Sequence, residues 1–197
     1  IRIIGGKWRS RKVSFETKDF LRPTPDRVRE TLFNWLSPYI VGTVCLDLFA
    51  GSGVLGLEAI SRGAGQVYAL DSDRGNVTQI EKNKELLEAN ELMVLNKNVM
   101  EWLQAKPIPA DIIFVDPPYK LNLLHPALHL LENNGWVNPE GFIYFEHDKP
   151  IEDTSLPAAW TIWRKSKAGI DQESRHSLLL FQTQCRSGYS FPFGWFN

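Results

Sequence analysis

Three aspartates and two short loops carry the residue types and spacings from which chemistry can be built. Asp47 lies near the end of an apolar run, Val44 to Leu48. It leads into Phe49-Ala50-Gly51-Ser52-Gly53, after which Val54, Leu57, Ala59 and Ile60 recur at helical spacing. That pattern is strand, tight loop, helix. Gly51 and Gly53 can adopt backbone angles closed to other residues, which lets the main chain approach a ligand. A loop that opens a helix also offers free N–H groups, suited to a carboxylate or phosphate. Gly51, Gly53 and Gly56 spell G-x-G-x-x-G, with Asp71 some 20 residues on, as in a dinucleotide site. Asp47 argues against that ligand, because a carboxylate beside the loop is a poor neighbour for pyrophosphate and a good one for a cation. A ligand-free turn between strand and helix is the plainer alternative.

Asp116-Pro117-Pro118-Tyr119 follows a second apolar run, Ile112 to Val115. Two prolines fix the backbone and remove two N–H donors, leaving carbonyls free to accept. The motif therefore offers a carboxylate, a carbonyl and an aromatic face, a set that fits an exocyclic NH2 on a flat heteroaromatic ring. A simple strand-ending turn would also use these residues. An aspartate of ordinary pKa, about 4, is expected to be too weak a base to deprotonate such an amine before transfer.

Elements that place these residues follow from the pattern. Strands are expected at 44–50, 66–71, 92–95, 110–115 and 141–146, and helices near 54–63, 73–90, 99–105 and 121–134. Strands apolar throughout imply burial on both faces and a parallel sheet. Residues 160–167 and 176–183 read as two further strands forming an antiparallel edge. The fold class is α/β: a seven-stranded, mostly parallel sheet with helices on both faces. Asp47, Asp71 and Asp116 all fall at strand C-terminal ends and are expected to meet in one crevice.

Before the sheet, Arg2-Ile3-Ile4 and Lys12-Val13-Ser14-Phe15 read as a hairpin around Gly5 to Arg9. A helix with Thr24 as N-cap, Pro25 in the first turn and an apolar stripe of Val28, Leu32, Phe33 and Leu36 follows. Three stretches result: a basic appendage at 1–38, the main domain at 39–184, and a tail at 185–197, whose residues from Ser187 to Asn197 are aromatic, uncharged and without period. The tail is expected to be disordered or foreign to the domain, just as the start at Ile1 suggests trimming.

The chain has 197 residues and a net charge of −1, but residues 1–29 carry nine lysines and arginines against three acids. A basic arm on an acidic body points to a polyanion met at one end. Trp8 among Lys7, Arg9, Arg11 and Lys12 combines phosphate contacts with a stacking face, as on RNA, or packs on the hairpin. Cys45 and Cys185 make neither a disulfide framework nor zinc spacing, so a reducing cytoplasm and no metal are expected. No apolar run is long enough to span a membrane.

The aspartate-glycine loop with Asp116-Pro117-Pro118-Tyr119 resembles Rossmann-like, S-adenosylmethionine-dependent amino-methyltransferases. Arg2 to Arg9, Arg22-Pro23-Thr24, Arg27 to Leu36 and Leu57 to Ala64 resemble more narrowly the RsmD family, from residue 1 to about residue 183. Its members methylate the N2 amino group of a guanine in small-subunit (16S) ribosomal RNA. The resemblance implies S-adenosylmethionine held by Asp47, Phe49, Ala50, Gly51, Ser52 and Gly53. It places ribose at Asp71, adds Ser72 to the cofactor-binding residues, and puts adenine at Asn98 and Val99, with Thr24 and Arg22 at the mouth. It implies a guanine held by Asp116, Pro117, Pro118 and Tyr119, and RNA contacts from Arg2, Lys7, Trp8, Arg9, Arg11, Lys12, Arg22 and Arg27. A monomer acting on an assembled or assembling small subunit is expected. Rival readings are an adenine-N6 methyltransferase on RNA or DNA, a protein glutamine methyltransferase, an NAD-dependent oxidoreductase, and a non-catalytic RNA-binding module.

Overall fold

Apolar strands alternate with amphipathic helices from residue 44 onward, and the chain winds them into one twisted sheet. The computed structural model describes residues 1–15, 25–118, 121–147, 156–168 and 176–183. Thr24, Arg22, Tyr119 and the 185–197 tail lie outside the described residues. Helix α1 (Asp26–Leu36) precedes β1 (Val44–Leu48), α2 (Val54–Ser61), β2 (Gln66–Asp71), α3 (Arg74–Leu87), β3 (Leu92–Asn96) and α4 (Val99–Trp102). Then come β4 (Ala110–Val115), α5 (Leu124–Asn133), β5 (Val137–His147), β6 (Trp160–Ala168) and β7 (His176–Thr183).

The sheet has seven strands among the described residues, in the order β3-β2-β1-β4-β5-β7-β6. Pairing is parallel from β3 through β5, while β7 runs antiparallel to both β5 and β6. This is the mostly parallel sheet with an antiparallel edge that the apolar runs imply. The order reverses between β1 and β4, so the switch point, where such sheets bind ligands, lies between the strands that bear Asp47 and Asp116.

Two apolar layers cover the sheet. On one face, residues of the N-terminal segment (Ile3, Trp8, Val13), α1 (Leu32, Phe33) and α2 (Leu57, Ile60) pack with Cys45, Val67 and Phe114. On the other face, Val99 and Leu103 and the α5 residues Ala127, Leu128 and Leu131 pack with Leu46, Ile113 and Ile143. Alternate strand residues therefore feed opposite layers, the period-two rule of a sheet covered on both sides.

Several boundaries depart from expectation for local reasons. β1 stops at Leu48 because Phe49 takes a positive φ of 62°, which cannot continue a strand. β5 begins at Val137, earlier than 141, because the register skips between Ala110 and Ile112 and a bulge absorbs the polar Asn138-Pro139-Glu140 stretch. Pro25, not Thr24, occupies the N-cap position of α1. The N-terminal hairpin reduces to a single bridge, Arg2 with Lys12, and Ile3 N–H donates to the Arg11 carbonyl at 2.9 Å. A turn of 3-10 helix, Gly6–Trp8, forms its tip.

Candidate active site

Strand register places four carboxyl side chains on one face of the sheet, near the C-terminal ends of adjacent strands. Asp47 pairs with Phe114, and Phe114 with Tyr144. Counting two residues on, Asp116 and Glu146 stand level with each other. Asp71 follows Leu70, which pairs with Leu48, so it stands at the same height on the other side of β1. Asp47 lies one pleat deeper, about 7 Å down the strand. Asp47, Asp71 and Glu146 are buried, and Asp116 is half-buried. Glu146 is the member that sequence reasoning missed. Its only signal was position, one residue past the last apolar residue of β5, and no motif marks it.

The glycine loop closes over Asp47. Gly56 N–H donates to Asp47 Oδ2 at 2.9 Å. A Cβ at Gly56 would lie 3.1 Å from that same oxygen, so the glycine lets helix α2 come close to the carboxylate. Gly53 has φ 71° and would bring a Cβ within 2.8 Å of Ile80 Cγ1. Its glycine is therefore demanded by packing on α3 as well as by any ligand. Gly51 N–H donates to Asp71 Oδ2 at 2.8 Å, and Asp73 N–H donates to Asp71 Oδ1 at 2.8 Å. Asp71 thus ties the loop to the end of β2. Phe49, held at positive φ, stores strain of the kind concentrated at binding sites.

Burial pushes the Asp47 carboxyl up to about 7, against the Gly56 hydrogen bond and with the Asp71 charge adding to the rise. Among the described residues no cation pairs with it. An ammonium ligand at this depth would supply the missing counter-charge. Gly53, the N-cap of α2, gives no side-chain bond to the first-turn N–H groups, which leaves a helix N-terminus suited to a carboxylate. The residues present therefore fit the amino-acid portion of S-adenosylmethionine. Asp116 is also raised, by burial first and then by the charges of Glu146 and Asp47. That overturns the expectation of an ordinary carboxyl: the group is a stronger base than a surface aspartate when ionised, and is ionised only at higher pH.

At the neighbouring strand end, Asn98 caps α4. Its Oδ1 accepts from Met100 N–H at 2.9 Å and from Glu101 N–H at 3.3 Å, while Val99 is buried beneath. Ser72 is exposed, and its carbonyl accepts from Asn96 Nδ2 at 3.1 Å. Ala50 N–H donates to the Leu70 carbonyl at 2.8 Å, and Ser52 is half-buried in the loop. Pro117 is buried and Pro118 exposed beyond β4. All these positions meet at one edge of the sheet.

The basic residues do not. Arg2, Lys7, Arg9, Arg11, Lys12 and Arg27 are exposed, but the hairpin tip packs on the C-terminal end of α2, opposite the end that forms the glycine loop. A Cβ at Gly6 would lie 1.7 Å from the Ser61 carbonyl oxygen, and Trp8 N–H donates to Ser61 Oγ. Lys7 donates to Glu91 Oε1 at 2.8 Å, just before β3 begins, and holds that carboxyl below its ordinary range. Trp8 is 7% exposed and belongs to the core. It has no open face for stacking a base, so the packing alternative describes it. Arg2 and Lys12 lie at the other end of the hairpin, toward the first turn of α1 that bears Arg27.

Arg29, counted with the basic arm by sequence, is fully buried. Its guanidinium bonds the Arg2 carbonyl and Asp26, and lies 3.6 Å from Glu58 Oε2. Glu58 in turn accepts from Ile4 N–H and Gly5 N–H at 2.8 Å each, and from Arg62 Nε at 2.8 Å. This buried cluster fastens the N-terminal segment to α2. Among the described residues no group of three histidine, cysteine, aspartate or glutamate side chains is arranged to hold a metal, and no helix is long and apolar enough to cross a membrane.

A doubly wound sheet with a carboxylate-flanked glycine loop and an Asp-Pro-Pro motif astride its switch point is the architecture of the Rossmann-like methyltransferases. The family described as Conserved hypothetical protein 95 matches residues 1–175. Ribosomal RNA small subunit methyltransferase D of Escherichia coli K12 is 48% identical over 169 residues, which cover 86% of this chain and 85% of the relative. The Haemophilus influenzae enzyme of the same name is 43% identical over 176 residues, 86% of this chain and 90% of the relative. Among solved structures, the putative methyltransferase yhhF from Escherichia coli superposes with a TM-score of 0.82 at 43% identity, covering 94% of this chain and 99% of that one. The chain belongs to the ribosomal RNA small subunit methyltransferase D family.

Proposed function

We propose that this chain transfers a methyl group from S-adenosylmethionine to the exocyclic N2 amino group of a guanine in small-subunit (16S) ribosomal RNA. One observation carries the reading: Asp116 and the donor-free Pro117-Pro118 turn stand beside the desolvated Asp47 and its glycine loop, across the switch point. Bound at that loop, S-adenosylmethionine would supply an electrophilic methyl on a sulfonium. Asp47 would hold its ammonium, Asp71 and Ser72 its ribose, and Asn98 and Val99 its adenine.

A guanine amino group is a poor nucleophile because its lone pair is delocalised into the ring. Accepting its N–H bonds at Asp116 and at a proline carbonyl favours a pyramidal nitrogen and stabilises the positive charge that develops there. The burial that raises Asp116 also makes it the acceptor of the proton the nitrogen sheds. Holding the base against the loop supplies the remaining part of the barrier reduction, through orientation. Tyr119 is assigned the stacking face by its place in the motif. The exposed Arg2, Lys12 and Arg27 would contact the RNA backbone. Residues 1–38 serve as the RNA-facing part of a cytoplasmic monomer that acts on an assembled or assembling subunit.

The test is to incubate the protein with methyl-labelled S-adenosylmethionine and unmethylated small subunits or naked ribosomal RNA, then digest and identify the labelled nucleoside. Label in N2-methylguanosine is expected. Label in N6-methyladenosine would retain the site and replace the substrate.

A further inference from the structure

Glu146 is a buried carboxyl that the transfer described above does not use. It terminates β5, its Oε1 accepts from the Tyr144 hydroxyl at 2.9 Å, and the β4–β5 register sets it level with Asp116 on the adjacent strand. Neighbouring strands of a sheet are about 4.8 Å apart, so two carboxyl groups on one face at one level act on each other at short range. Tyr144 is itself fully buried and lies edge-on to Phe114, their ring centroids 6.3 Å apart. The hydroxyl that bonds Glu146 is thereby fixed against the strand that carries Asp116.

We propose that Glu146 is a positioning residue of the transfer site: anchored by Tyr144, its carboxyl stands beside Asp116 and strengthens it as acceptor of the proton shed by the substrate amine. The proposal rests on the reading of Asp116 as the group that touches the amine. Atoms and electrons balance without a further reactant. The nitrogen lone pair forms the new N–C bond, the S–C bond breaks toward sulfur, and the displaced N–H proton passes to Asp116 and then to water. Glu146 contributes negative charge, which makes Asp116 hold a proton more tightly and relaxes once that proton is gained. Among the described residues, the charged groups facing Asp116 are Asp47 from β1 and Glu146 from β5, with the Tyr144 hydroxyl behind Glu146 and Asp71 behind Asp47. Both charges raise the Asp116 carboxyl, after burial, and Glu146 is the one set level with it on the adjacent strand.

Two readouts separate this role from a merely structural one. In the ligand-free protein, carbon-13 NMR of labelled aspartate carboxyls follows the Asp116 titration directly. In Glu146→Gln the midpoint is expected to fall by about 0.5–1 pH unit. In turnover, the acid limb of kcat is expected to move down by the same amount, with its plateau lowered about 3- to 10-fold and KM for S-adenosylmethionine unchanged. Tyr144→Phe, which keeps the ring and removes the donor, and Glu146→Asp, which keeps the charge, report on the same titration if the first variant folds poorly. An unmoved Asp116 midpoint in Glu146→Gln, or loss of kcat at every pH with the limb in place, would overturn the proposal. The NMR arm stands whatever nucleoside the wild-type enzyme labels, so failure of the substrate reading is distinguishable from failure of this one.

Discussion

Asp116 and Asp47 sit one pleat apart, and burial raises both, yet they answer to different partners. Asp116 is the residue proposed to touch the substrate amine. Replacing it with asparagine keeps the shape, removes the proton acceptor, and is expected to lower kcat by a factor of about 100 or more. Binding of S-adenosylmethionine, measured by calorimetry, should stay within a few-fold. Asp47 lies beneath the loop, and its raised carboxyl makes a pH prediction with a definite sign. Between its ordinary value near 4 and about 7 in the fold, the native state holds more protons than the unfolded one. Its contribution to stability therefore falls as pH rises through that window. Urea denaturation at pH 5 and pH 7.5 should show Asp47→Asn gaining on the wild type at the higher pH. A bound ammonium, which favours the ionised carboxyl, should narrow that difference.

Helix α2 joins two tasks at its two ends. Its first turn packs on Asp47 through Gly56, and its last turn holds the N-terminal segment through Glu58, Ser61 and Arg62. The Gly5-Gly6 pair exists for that second contact, because a Cβ at Gly6 would overlap the Ser61 carbonyl and its φ of +74° already disfavours side chains. Gly6→Ala is therefore expected to lose on the order of 2 kcal/mol of stability in thermal or urea denaturation. Glycine signals in this chain were legible as turns. Which neighbour each glycine admits was not, because that depends on an approach between elements some 50 residues apart in sequence.

Over the whole molecule, charge divides into cations that hold the fold and cations that face solvent. Arg29 is spent on Glu58 and Asp26, and Lys7 on Glu91. Arg2, Lys12 and Arg27 remain exposed. Alanine at Lys12 is expected to weaken RNA binding and lower the slope of log affinity against log salt by about 0.7–0.9, one phosphate contact. Alanine at Lys7 should change that slope little. Filter binding of a small-subunit RNA fragment across a salt series measures both.

The alternation of fully apolar strands with helical repeats was enough, by itself, to give a parallel sheet and its antiparallel edge. The glycine loop and the Asp-Pro-Pro turn marked the switch point, because strand ends and turns are written in local residue types. Local pattern could not show that Trp8 and Arg29 are core residues, since a basic, aromatic segment reads alike whether it faces RNA or packs under a hairpin. Nor could it find Glu146. A single glutamate after an apolar run gains meaning only from the strand laid beside it, and the raised carboxyls of Asp47 and Asp116 arise only when folding removes water from them. Element type came from the neighbours along the chain, whereas ionisation and contact came from neighbours that tertiary structure alone brings together.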